Sequence, residues 1–160
     1  MRPRAGNHLR RRIRSLAILE LLNIPLQAAI WFGVIGFPVT PANGIGFALF
    51  ALLLLEGAGY WLAKLRQTTT SRLPGHRAFR IARVVNVPLL LGGVGYLTWV
   101  VIADPGTDTV PGLGFALFAL LEHINYFHTQ LMYDNVQELQ HLFRRGLRPA
   151  HLARDLERAA

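Results

Sequence analysis

Four apolar stretches of about 20 residues each, near residues 15–36, 44–63, 82–103 and 112–132, dominate this 160-residue chain. A helix rises about 1.5 Å per residue, so each stretch covers the roughly 30 Å hydrocarbon core of a bilayer. In lipid, only a helix or a closed barrel satisfies every backbone polar group, and unbroken apolar runs favour helices. Apolar residues make up 52% of the chain and charged residues 16%, too little polar surface to clothe four buried helices in water. The expected fold class is therefore all-α, an integral membrane four-helix bundle. The first stretch has a basic leader but is longer than a signal core, so it is expected to be retained.

The charges set the orientation. The 17 basic residues fall in three groups: before the first stretch, between the second and third with Arg83 just inside the third, and after the fourth. Segments 37–43 and 104–111 hold none. Basic flanks mark the cytoplasmic side, which predicts both termini in the cytoplasm and two short outer hairpins in a cytoplasmic membrane. The net charge of +8 is thus a topology signal, and no folded basic domain remains for nucleic acid.

The chain also repeats itself. Gly44-Ile-Gly-Phe-Ala-Leu-Phe-Ala-Leu-Leu53 recurs as Gly112-Leu-Gly-Phe-Ala-Leu-Phe-Ala-Leu-Leu121, and Asn23-Ile24-Pro25 recurs as Asn86-Val87-Pro88. Glu56 and Tyr60 match Glu122 and Tyr126 after a two-residue slip. Matched polar and helix-breaking positions argue for a tandem duplication of a two-helix hairpin, with its copies related by an axis along the membrane normal. The organisation read from this is a basic cytoplasmic tail (1–14), a first transmembrane hairpin (15–63), a basic cytoplasmic loop (64–81), a second hairpin (82–132) and an amphipathic cytoplasmic tail (133–160).

Helical rise gathers the polar residues at one depth. Asn23 lies eight residues inside the start of its stretch and Glu56 eight before Lys64, each about 12 Å deep, and Asn86 and Glu122 repeat the arrangement in the second unit. Tyr60 and Tyr126 follow their glutamates by four, one turn along the same face, where a hydroxyl can donate to the carboxylate. Glu20 and Arg83 occupy equivalent positions one turn nearer the cytoplasm. This intramembrane polar layer of Asn23, Glu56, Tyr60, Asn86, Glu122 and Tyr126 is the candidate site, with Glu20, Arg83, His123 and His128 as secondary candidates. A glutamate in hydrocarbon must be paired, hydrogen-bonded or protonated. On a wheel of the fourth stretch, Tyr126, Thr129 and Tyr133 share the Glu122 face, while Leu120, Ile124, Phe127 and Leu131 are expected to face lipid.

Enzyme signatures are absent: there is no nucleophile elbow, no zinc-binding His pair and no phosphate loop after a strand. His123 and His128 are five apart, about 140° around a helix, and so are not expected to grip one ion. Neither a metal nor a cofactor is expected, and nothing points to an enzyme. In the tail, Val136, Leu139, Leu142 and Phe143 keep helical spacing, and Leu152 and Leu156 resume it with Arg154, Asp155 and Glu157 on the wet side. The reading is a small multi-pass, non-enzymatic membrane component that binds a partner protein or lipid, anionic lipid at the cytoplasmic face included, through the polar layer. The alternative is an oligomeric proton- or ion-coupled transporter or channel using Glu56 and Glu122.

Overall fold

The computed structural model describes residues 4–67, 73–131 and 149–158. Five helices occupy them: α1 (Arg4–Ala28), α2 (Pro41–Gln67), α3 (His76–Ala103), α4 (Val110–Phe127) and α5 (His151–Arg158). Among the described residues there is no strand, only an isolated bridge between Thr129 and Pro149. Segments His8–Val34, Pro41–Gln67, His76–Ala103 and Val110–Phe127 are long and apolar enough to cross a membrane, as in a multi-pass membrane protein. The shortest has 18 residues, about 27 Å at helical rise, near the lower limit for a span. Helices α2 and α3 run beyond their apolar stretches into the basic segment between them.

The bundle is built on α2 and α4, which pack against each other, with α1 on α2 and α3 mainly on α4. The reason lies in a stripe of small residues. Ala42 and Gly46 of α2 meet Gly112 of α4, one turn before the fully buried Ala116, and a Cβ on Gly46 would collide with the Gly112 backbone. Two small-x-x-x-small pairs thus let backbones touch where bulkier side chains would hold them apart. In the most apolar window of α2 and of α4, 44% of residues are buried, against 6% in α1 and 17% in α3. The outer pair therefore shows apolar side chains such as Leu22, Leu26, Val84 and Trp99 to the surroundings. That exposure would be a liability in water and is ordinary in lipid.

Inward from the glycine contact, Leu49, Leu53, Leu90, Leu97, Ala116 and Ala119 form a closed apolar core. A second cluster fastens α1. Past Pro25, α1 widens into a π-helical stretch, Ala29–Val34, with Ile35 N donating to Ile30 O at 2.8 Å. Trp31 and Phe32 from this stretch meet Phe47 and Phe115 edge-on, with ring centroids 5.4–5.7 Å apart. Gly36, at φ +79°, then turns the chain towards α2, a conformation that costs glycine little.

At the end of the bundle that carries the α1–α2 and α3–α4 connections, the fully buried Asn43 joins both. Its Nδ2 donates to Pro38 O and Thr107 O, both at 2.9 Å, and its Oδ1 accepts from Gly112 N at 2.8 Å. Gly112 N lies in the first turn of α4, where no intrahelical acceptor exists, so the neighbouring helix supplies one. Thr40 Oγ1 adds a bond to Asp108 O at 2.5 Å.

The opposite end, where α5 lies, departs from expectation in three ways. Helix α4 stops at Phe127, so Thr129 is not on the Glu122 face of a helix, and Tyr133 lies outside the described residues. Phe127, expected against lipid, is fully buried, and Leu120 packs against the core. Instead Leu117, Phe118 and Leu121 form the exposed side of α4. The cause is α5, which returns to the bundle and places Leu152 and Leu156 in the same cluster as Phe127. Asp155, expected on the wet side, is 6% exposed and accepts from Tyr60 Oη at 2.9 Å and Lys64 Nζ at 2.6 Å. The expected tail positions Val136, Leu139, Leu142 and Phe143 lie outside the described residues.

Candidate functional site

Two pairs in the half of the bundle nearer α5 join different helices. Asn86 Nδ2 of α3 donates to Glu56 Oε2 of α2 at 2.7 Å, uniting two residues that the depth arithmetic set level. Tyr126 of α4 donates its hydroxyl to Glu20 of α1. This second bond crosses α2 at Gly57, where a Cβ would lie 2.5 Å from the Tyr126 hydroxyl oxygen. The missing side chain makes room for the phenol to reach the peripheral helix. Glu122, 7% exposed, accepts from Asn125 Nδ2 at 3.5 Å.

The tyrosines do not serve the glutamates four residues before them. Tyr60 turns to Asp155 and Tyr126 to Glu20, because each points across a helix interface rather than down its own helix. Asn23 bonds within its own helix. It accepts from Gln27 Nε2 at 3.2 Å, and Gln27 Oε1 accepts from Trp31 Nε1 at 2.8 Å, a polar ladder along α1. The carboxylates Glu20, Glu56 and Glu122 thus each accept from a neutral donor, a tyrosine hydroxyl or an asparagine amide. Such bonds satisfy polar groups in hydrocarbon and fix helix register.

His123 and His128 come together, contrary to the angular argument. With α4 ended at Phe127, His128 takes φ −128° and ψ −71°, outside the helical region, and its ring lies 5.4 Å from that of His123. His123 is 2% exposed, and neither of its ring nitrogens has a hydrogen-bond partner. Arg83 lies half-buried on α3, one turn before Asn86. Among the described residues no three His, Cys, Asp or Glu converge as a metal site would need.

No family model, curated protein or solved structure matches the chain. The geometry alone therefore carries the functional reading.

Several residues in these contacts escaped sequence reasoning. Asn43 was readable as a cap-type residue in the first turn of an apolar helix, although nothing showed that it would bond to both outer connections. Gln27 lies seven positions after Glu20 and four after Asn23, on one face of α1, a spacing visible in the sequence. The Lys64 and Asp155 pair, 91 residues apart, had no sequence signal at all.

Proposed function

We propose that this chain is a non-enzymatic component of the cytoplasmic membrane, with both termini in the cytoplasm. It binds a partner protein or lipid through its inner-leaflet polar layer. In this reading its two hairpins arose by duplication, and the three basic segments mark the cytoplasmic end. Helices α1 and α3 support the duplication in that each carries a proline inside the helix, Pro25 and Pro88, two residues past an asparagine.

The observation that carries the reading is one-sidedness. Glu20, Glu56 and Glu122 with Asn86 and Tyr126 lie in the inner half, whereas outward from them α2 and α4 are in backbone contact beside a leucine and alanine core, where the buried amide of Asn43 is fully bonded. A conducting path needs polar groups or water along its whole length. The polar layer of a single copy stops at the closed α2–α4 seam, so it suits holding something from within better than passing it across.

Glu56→Gln with Glu122→Gln tests this in proteoliposomes carrying an internal pH dye. The expected result is a folded double variant with no difference in proton flux from the wild type. A pH-dependent flux in the wild type that the double variant abolishes would establish the transporter reading instead.

A further inference from the structure

Helix α3 carries an open groove of about 450 Å³, lined by Arg77, Arg80, Ile81, Val84 and Val85, all five exposed. The spacing keeps these residues on one side of the helix. Charge and apolarity are separated along that side. The two arginines stand where α3 begins, at the end of the bundle where α5 lies, and beyond them the lining is wholly apolar. No acidic residue lies on α3, and among the described residues neither guanidinium has an ion-pair or hydrogen-bond partner. Pro88, exposed four residues past Val84 on the same side, has no amide proton to give Val84 O, so a backbone carbonyl beside the groove lacks its helical donor. Free cations at one end and an apolar slot along the rest fit an amphiphile with an anionic head.

We propose that this groove holds one anionic phospholipid, its phosphate on Arg77 and Arg80 and an acyl chain along Ile81, Val84 and Val85. Residues three apart are neighbours on a helix surface, so the two planar forks can share one phosphate. From Arg80 to Val84 the helix advances about 6 Å, which takes the lipid from its headgroup towards its chains. A lipid of zero net charge covers the same apolar side chains but leaves the two guanidiniums without a counter-charge. The groove faces away from the bundle, whereas Asn86 on the same helix turns to Glu56 of α2. The site is therefore separate from the polar layer, and it rests only on the chain lying in a bilayer.

The test uses the full chain in phosphatidylcholine nanodiscs, with bimane on Leu89→Cys, an exposed position one turn past Val85 in a chain with no other thiol. Phosphatidylglycerol with brominated acyl chains, which quench on contact, replaces part of the lipid, and brominated phosphatidylcholine is the reference. Quenching is expected to reach its midpoint at about tenfold less phosphatidylglycerol than phosphatidylcholine. Arg77→Gln with Arg80→Gln should erase that preference, at roughly tenfold or more for two interfacial arginines. Arg10→Gln with Arg14→Gln, exposed on α1, removes the same charge and should leave the preference within about twofold. Val84→Trp fills the groove with both arginines in place and should also weaken the preference. Circular dichroism checks that each variant keeps its helical content. Equal midpoints for the two lipids, a preference that survives loss of both arginines, or an equal loss in the α1 variant would overturn the site. So would a bimane shielded from both lipids, which would give this face to a second copy of the chain or another protein. None of these failures alters the flux comparison of the glutamate variants, so the two ideas stand or fall separately.

Discussion

Single glycines and one asparagine do much of the structural work in this bundle, and their neighbours provide matched controls. A Cβ at Gly46 meets the backbone of Gly112, which cannot step aside, whereas a Cβ at Gly44, one half-turn away, meets nothing within 4 Å. Gly46→Ala should therefore force α2 and α4 apart and lower the thermal midpoint in detergent. Gly44→Ala should be neutral or raise it, since alanine is favoured over glycine by up to about 1 kcal/mol inside a helix. Asn43 is the polar counterpart. Asn43→Ala would leave Pro38 O, Thr107 O and Gly112 N without their partner, a loss of roughly 1–3 kcal/mol for an unsatisfied buried group. Chemical or thermal unfolding in mild detergent measures it, and an unchanged midpoint would contradict the role given to the amide. The strict Gly-x-x-x-Gly pattern does not find these contacts, because the operative pairs are Ala42 with Gly46 and Gly112 with Ala116.

At the scale of elements, the spans were legible and their facing was not. Hydrocarbon imposes length and apolarity on a crossing helix, so the four spans follow from the sequence within a few residues. Rotation is set by what packs on each helix, and for α4 that includes a segment more than 20 residues downstream. The wheel assigned Phe127 to lipid because nothing local reveals that α5 covers it. The same return explains the burial of Asp155. Asp155→Ala should free α5, removing the acceptor of both Tyr60 and Lys64 while leaving the four spans in place. Limited proteolysis should then cut near residues 149–158 faster than in the wild type, at unchanged helical content of the remainder. Equal cleavage rates would mean that Leu152 and Leu156 hold α5 without the polar latch. For the candidate site, depth was legible and partnership only partly so. The arithmetic set Asn86 level with Glu56, but the tyrosines choose acceptors on other elements, which spacing along one helix does not encode.

For the whole molecule, the testable claim is sidedness. The chain has no cysteine, so a single introduced thiol is an unambiguous reporter. Thr107→Cys, in the α3–α4 connection, should react with an impermeant maleimide from outside intact cells. His76→Cys, at the start of α3, should react only after the membrane is opened. The opposite pattern would reverse the orientation and place the polar layer in the outer leaflet. Positive charge in three alternate segments is what made this claim available from sequence alone.

The outer knot of Asn43 and the Gly46–Gly112 contact has a mechanical corollary. With one tip of the central helix pair pinned backbone to backbone, the molecule resembles a pair of tongs. Any spreading pivots at that tip and is amplified at the far mouth, where α5 rests across the opening.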